Sequence, residues 1–167
     1  MMKILKLIAI VSITTGAKAV FAHNNSAHSS APVEKVQTAW GIAGDAKAVN
    51  RTITVTMTDQ MRFIPAELQI RAGDTVKLVV RNAGKGLHEL VIGTKAELDA
   101  HAALMVKFPD MEHSEPYMTH VKPGKTDQLI WTFNRVGEFE FACLLPGHYQ
   151  AGMVGKIKVS AASTPKP

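Results

Sequence analysis

Cys143, His148 and Met153 stand at Cys-x4-His-x4-Met spacing, and the chain has no other cysteine. Pro146 and Gly147 force a tight turn between the first two, so the chain that leaves Cys143 can bring His148, and then Met153, back toward the sulfur. A thiolate, an imidazole and a thioether form a soft donor set that suits copper. Zinc takes cysteine, histidine and carboxylate, and a methionine argues against it. The loop lacks a second imidazole. His88, at the start of a short apolar segment after a glycine-containing loop, is the best candidate to supply it. Two histidines, one cysteine and a weakly held axial methionine describe a type 1 copper site for electron transfer. Each residue also has a plainer reading. Cys143 could be a free thiol, an intermolecular link or an inert buried cysteine. Met153 could fill a gap in the core, His148 could be an ordinary loop residue, and His88 a satisfied strand histidine.

The elements that must carry these residues read as β. Ile53, Val55 and Met57 alternate with threonines, as a half-buried strand requires. Leu68 and Ile70, then Val76, Leu78 and Val80, repeat the pattern. A short apolar strand at 87–92 contains His88 and Glu89. Leu129, Trp131 and Phe133 make another strand, Phe139, Phe141 and Cys143 another, and Ile157 and Val159 the last. Because strand side chains alternate, Cys143 shares the inward face of Phe139 and Phe141. Thr94 and Glu97 have capping-box spacing ahead of an Ala/Leu-rich stretch, which predicts one short helix near 94–106. Residues 108–122 read as a loop. About seven short strands separated by turn signals imply an all-β sandwich.

The N-terminus has the pattern of a secretory signal over 1–22. Lys3 supplies a positive start, 7–13 is a short apolar run, and Val20-Phe21-Ala22 offers a cleavage site before His23. The apolar run is far shorter than the roughly 20 residues of a spanning helix, so no membrane span is expected after processing. Residues 23–49 read as a flexible lead containing His23 and His28, with Trp40-Gly41-Ile42 a candidate to dock on the domain, 50–160 as the copper-binding domain, and 161–167 as a frayed tail. The formal charge of +5 falls when Lys3, Lys6 and Lys18 leave with the signal. The mildly basic remainder has no dense Lys/Arg run, which excludes a nucleic-acid footprint.

Met61-Arg62-Phe63-x-Pro65, Gly73-Asp74-Thr75-Val76, Asn82 through His88, Gly137-x-Phe139-x-Phe141-x-Cys143 and Pro146-Gly147-His148 to Met153 occur in this order. In this the chain resembles the cupredoxins, which include plastocyanins, azurins and pseudoazurins. The resemblance covers roughly 50–160. It implies a Greek-key β-sandwich with copper near one end, held by His88, Cys143 and His148 with Met153 axial. In many members an asparagine follows the first histidine and steadies the cysteine loop; here Glu89 stands in that place.

A second group, Met105, Met111, His113, Met118 and His120, crowds the helix end and the following loop. Thioethers and imidazoles bind Cu(I) well, so an additional Cu(I) site is a candidate beside the reading of core methionines and exposed loop histidines. This group and the leader resemble the copper-tolerance cupredoxins of the bacterial periplasm. The resulting expectation is a periplasmic copper protein that handles copper and transfers one electron, meeting a redox or copper-handling protein only transiently. The alternative is a dedicated electron carrier to a respiratory or oxidase partner with no tolerance role. Enzymatic activity is not expected: Ala142 and Leu144 flank Cys143, with no adjacent histidine to bridge to another copper centre.

Overall fold

The computed structural model describes residues 35–109, 111 and 113–162. The expected signal at 1–22, the first part of the lead with His23 and His28, and the end of the tail lie outside them. Among the described residues, ten strands form two five-stranded sheets, with an α-helix between the sixth and seventh strands. In one sheet the order is β1-β8-β5-β2-β3, comprising Ile42–Ala43, Thr126–Thr132, Thr75–Asn82, Arg51–Thr58 and Arg62–Ile64. In the other it is β4-β10-β9-β6-β7, comprising Glu67–Arg71, Val154–Ser160, Gly137–Ala142, His88–Gly93 and Met118–Val121. β2 runs parallel to β5 and β4 parallel to β10; the other pairs are antiparallel. Non-consecutive neighbours of this kind are the mark of a Greek-key sandwich.

The alternation read from the sequence has a direct physical result. Val55, Met57, Leu78, Val80, Leu129, Trp131, Phe139 and Phe141 are buried in one apolar cluster between the sheets. β6 departs from simple alternation, because every one of its residues is buried. One face, with Leu90 and Ile92, belongs to the inter-sheet core. The other face, with Val91, is covered by helix α1 (Lys95–Lys107) through Leu98, Ala102 and Met105. Thr94 caps α1 with the expected capping box to Glu97, one residue from the boundaries read in the sequence. His88 and Glu89 therefore point to opposite sides of the same strand.

Two segments carry more strand than the sequence reading gave them. The described part of the lead docks on the domain around Trp40-Gly41-Ile42, as expected there, and pairs as a strand: Trp40 is buried, its carbonyl accepts from Trp131 Nε1 at 3.2 Å, and β1 pairs with β8. Gly41 permits this approach, at φ 137 and with the place of a Cβ only 2.3 Å from the Thr132 carbonyl oxygen. A large indole with a glycine beside it supplies enough buried area to dock a short strand that has little alternation of its own. The stretch read as a loop over 108–122 ends in β7. Met118, Thr119 and Val121 are buried there, and β7 pairs with β6 so that Glu89 lies opposite His120.

Candidate metal centre

Three sequence-nominated residues meet at one end of the sandwich. One donor atom each from His88, Cys143 and His148 lies within 4.8 Å of the other two. His88 opens β6 and is fully buried. Its Nε2 is 3.2 Å from Asp59 Oδ1, while its Nδ1 is buried with no hydrogen-bond partner. An orphaned nitrogen in a dry site is costly unless something binds it. The Asp59 contact places the ring proton on Nε2 and leaves the Nδ1 lone pair directed at the site.

The loop that delivers His88 is held by Asn82 and Asp59. Asn82 is fully buried; its Nδ2 donates to the carbonyls of Gly86 and Val121, each at 2.8 Å, and its Oδ1 accepts from Gly84 N–H at 2.8 Å. Asp59 accepts from Lys85 N–H at 2.7 Å and Gly86 N–H at 3.3 Å. These two backbone donors, with His88, hold its carboxyl below the usual range. A Cβ at Gly84 would sit 2.0 Å from Asp59 Oδ1, so only glycine lets the loop close over this carboxylate.

Cys143 follows β9 and is fully buried. Its Sγ accepts from Glu89 N–H at 3.4 Å and lies 3.2 Å from His148 Nδ1. Burial pushes the thiol up to about 12, so a cation must displace its proton on binding. Residues 144–152 form the turn predicted from Pro146 and Gly147, with His148 N–H donating to Leu145 O at 2.9 Å. Met153 N–H then donates to His148 O, and Cys143 N–H to Met153 O, both at 3.1 Å. Met153 is fully buried in the same cluster as Cys143. The His148 ring is partly exposed and 4.9 Å from the His88 ring. Burial, and then the neighbouring His88, lowers its pKa, which favours the neutral, metal-binding form.

Glu89 takes over the expected role of an asparagine. It is fully buried, and its Oε1 accepts from Leu144 N–H at 2.7 Å, tying β6 to the residue after Cys143. Its other oxygen faces away from that contact, 2.8 Å from His120 Nε2 but off the line of a good hydrogen bond.

The second sequence group divides. Met105 and Met118 are buried beneath α1 in the satellite core, which fits the plain packing reading. Met111 is exposed, and His113 and His120 meet Glu89. Asp59 and His101 were not picked out in the sequence. Asp59 is distant in sequence from the residues it holds, and His101 is one histidine in an alanine-rich helix. Neither carries a spacing signal. Among the described residues, no helix is long and apolar enough to cross a membrane.

The chain is similar in sequence and in fold to known proteins. The profile of the copper binding proteins of the plastocyanin/azurin family matches residues 49–160. The chain is 45% identical over 151 residues to the copper-resistant cuproprotein CopI of Rubrivivax gelatinosus, covering 90% of this chain and 91% of that protein. It is 34% identical to a protein of the same name from Pseudomonas aeruginosa, covering 72% of this chain and 82% of that one. Among solved structures, auracyanin B superposes with a TM-score of 0.61 at 21% identity, over 72% of this chain and 96% of that one. A buried cysteine and two histidines converge at one end of a Greek-key sandwich, in a sequence that matches the profile through all of its strands from β2 to β10. The chain therefore belongs to the plastocyanin/azurin family of copper-binding proteins.

Proposed function

We propose that the chain holds one copper ion through His88 Nδ1, Cys143 Sγ and His148 Nδ1, with Met153 as a weaker axial donor, and that it serves copper tolerance in the periplasm. The observation that carries this reading is the buried, unpartnered Nδ1 of His88 beside a buried thiol and a second imidazole. A copper ion there would supply one-electron chemistry by alternating between Cu(I) and Cu(II). The protein's part is to keep the donors fixed in both states. Asp59 and Asn82 immobilise His88, Glu89 ties down the residue after Cys143, and the 144–152 turn holds His148 at the rim. The partly exposed His148 ring gives an electron a short way to a transiently docked partner. The names of the CopI relatives support a role in copper resistance, and the leader-like N-terminus supports export. The protein acts as a binder and carrier rather than as an oxidase, since Ala142 and Leu144 give Cys143 no bridge to a second centre.

The test is complementation of a deletion strain on graded copper. The native chain should restore growth and Cys143→Ala should not, at equal protein level in the periplasmic fraction. Unaltered copper tolerance in the deletion strain, with respiration impaired, would instead identify a dedicated electron carrier.

A further inference from the structure

The turn between Cys143 and Met153 has to stay still for copper to be held, and its sequence leaves it few ways to do so. Of residues 144–152, only His148, Tyr149 and Gln150 carry polar side chains. Gln150 Oε1 is spent inside the turn, accepting from Gly147 N–H at 3.0 Å. The backbone bonds are internal as well. His148 N–H donates to Leu145 O and Gly152 N–H to Tyr149 O, both at 2.9 Å, and Ala151 N–H donates to Gly147 O at 3.0 Å. Bonds of this kind fix the shape of the turn but not where it sits on the body of the protein.

Its position is set from outside. At the start, Glu89 Oε1 accepts from Leu144 N–H at 2.7 Å, and toward the end Arg62 Nη1 donates to Ala151 O at 3.1 Å. Between them, Tyr149 O–H donates to Asp99 Oδ1 on α1 at 2.7 Å. The Tyr149 ring is half-buried against the satellite core that α1 closes with Leu98, Ala102 and Met105. Asp99 follows Leu98, so its carboxylate stands on a part of the helix that this core immobilises. Lys95 Nζ clasps the same carboxylate at 2.7 and 2.9 Å. Lys95, and then Tyr149, hold the Asp99 carboxyl below its usual range, so the acceptor is charged and the bond from Tyr149 is charge-assisted.

We propose that Tyr149 is a positioning residue for His148: its hydroxyl, held by Asp99, latches the middle of the ligand turn to α1 and keeps the His148 ring in one place while copper alternates between Cu(I) and Cu(II). This rests on the copper ligation proposed above. His148 is the ligand that most needs such help. His88 is locked by Asp59 and by complete burial, and Cys143 by burial and Glu89 N–H. A ligating histidine is ordinarily oriented by a partner on its second ring nitrogen. Among the described residues the partly exposed His148 ring has only Cys143 Sγ as a hydrogen-bond contact, through Nδ1. Its orientation therefore has to come through the backbone, and Tyr149 is the next residue along that backbone.

The experiment compares the full Cu(II)-loaded chain with Tyr149→Phe, Asp99→Ala, the double variant and Asp99→Asn. It reads the thiolate charge-transfer spectrum, the reduction potential and copper affinity in chelator competition, with urea unfolding of the copper-free chains alongside. Tyr149→Phe keeps the ring packing and removes only the hydroxyl. It and Asp99→Ala should each weaken copper binding about tenfold and change both the relative intensities of the charge-transfer bands and the potential. The double variant should do no more than either single one, because both break the same bond. Asp99→Asn keeps an acceptor oxygen and should restore most of the native behaviour. Native bands, potential and affinity in Tyr149→Phe would overturn the proposal, as would additive losses in the double variant. A lowered urea midpoint with unchanged spectrum and affinity would overturn it too, since the contact would then serve the fold alone. A native chain without a thiolate band would instead refute the copper ligation, and the latch with it.

Discussion

Removing the Asn82 side chain should damage the copper end of the fold more than its size suggests. Asn82→Ala deletes three hydrogen bonds of 2.8 Å, to Gly84 N–H and to the carbonyls of Gly86 and Val121. At about 1 kcal/mol net for each bond, the loss is about 3 kcal/mol. Leaving the buried Val121 carbonyl without this donor adds roughly 1–2 kcal/mol, for a total of about 4–5 kcal/mol. Asn82→Asp sharpens the test. It keeps the acceptor for Gly84 N–H but sets a carboxylate against two carbonyl oxygens, so at neutral pH it should cost at least as much as alanine. It should recover part of that loss in acid, where the carboxyl can donate one bond. Urea unfolding of the copper-free chain measures both variants, with the midpoint falling and the slope unchanged. A loss below about 1 kcal/mol for Asn82→Ala would refute the view that this side chain clamps the His88 loop.

Three further outcomes follow from the same geometry. Gly155→Ala places a Cβ 2.1 Å from Phe141 Cζ, in the fully buried core; overpacking should lower stability by about 2 kcal/mol or more in denaturant titration. Asp59→Ala removes the acceptor for His88 Nε2–H and for two loop N–H groups; copper affinity in chelator competition should fall about 10–100-fold, and the copper-free chain should lose roughly 1–3 kcal/mol in urea unfolding because the buried His88 Nε2–H is left without its acceptor. The Cys143 thiol is raised from 9.0 to about 12, so between those values the unfolded chain releases this proton more readily than the folded one. Its contribution to the copper-free fold is therefore complete below about pH 9 and lost as pH rises toward 12. Unfolding midpoints across that window should fall more steeply for the native chain than for Cys143→Ala, and parallel curves would contradict the assignment.

The strands and the helix were legible because each has a period that burial enforces. Threonine alternation marks β2, and the Thr94–Glu97 box marks the start of α1 to within a residue. Cys143, His148 and Met153 were legible because one short loop carries all three. β1 and β7 were not. β1 is two residues long and held by Trp40, whose burial depends on Tyr117 and Trp131 far along the chain. β7 lies between prolines, with Pro109 and Pro116 before it and Pro123 after it, and takes its strand geometry from pairing with β6. The roles of Asp59 and His101 were invisible for a related reason: each is defined by a contact between elements, with His88 in one case and His113 in the other. Glu89 looked like a departure from the family pattern, yet its carboxylate makes the loop contact expected of an asparagine and has an oxygen left over for the far face of the strand.

The central claim is that Cys143 is a copper ligand together with His88 and His148. Visible absorption with electron paramagnetic resonance on the Cu(II)-loaded chain tests it most directly, with Cys143→Ala as the comparison. The native chain should show an intense thiolate-to-copper charge-transfer band that is absent in Cys143→Ala, while any copper bound through nitrogen and oxygen alone remains in both. A native chain that binds copper without that band, or a Cys143→Ala chain that keeps it, would contradict the claim.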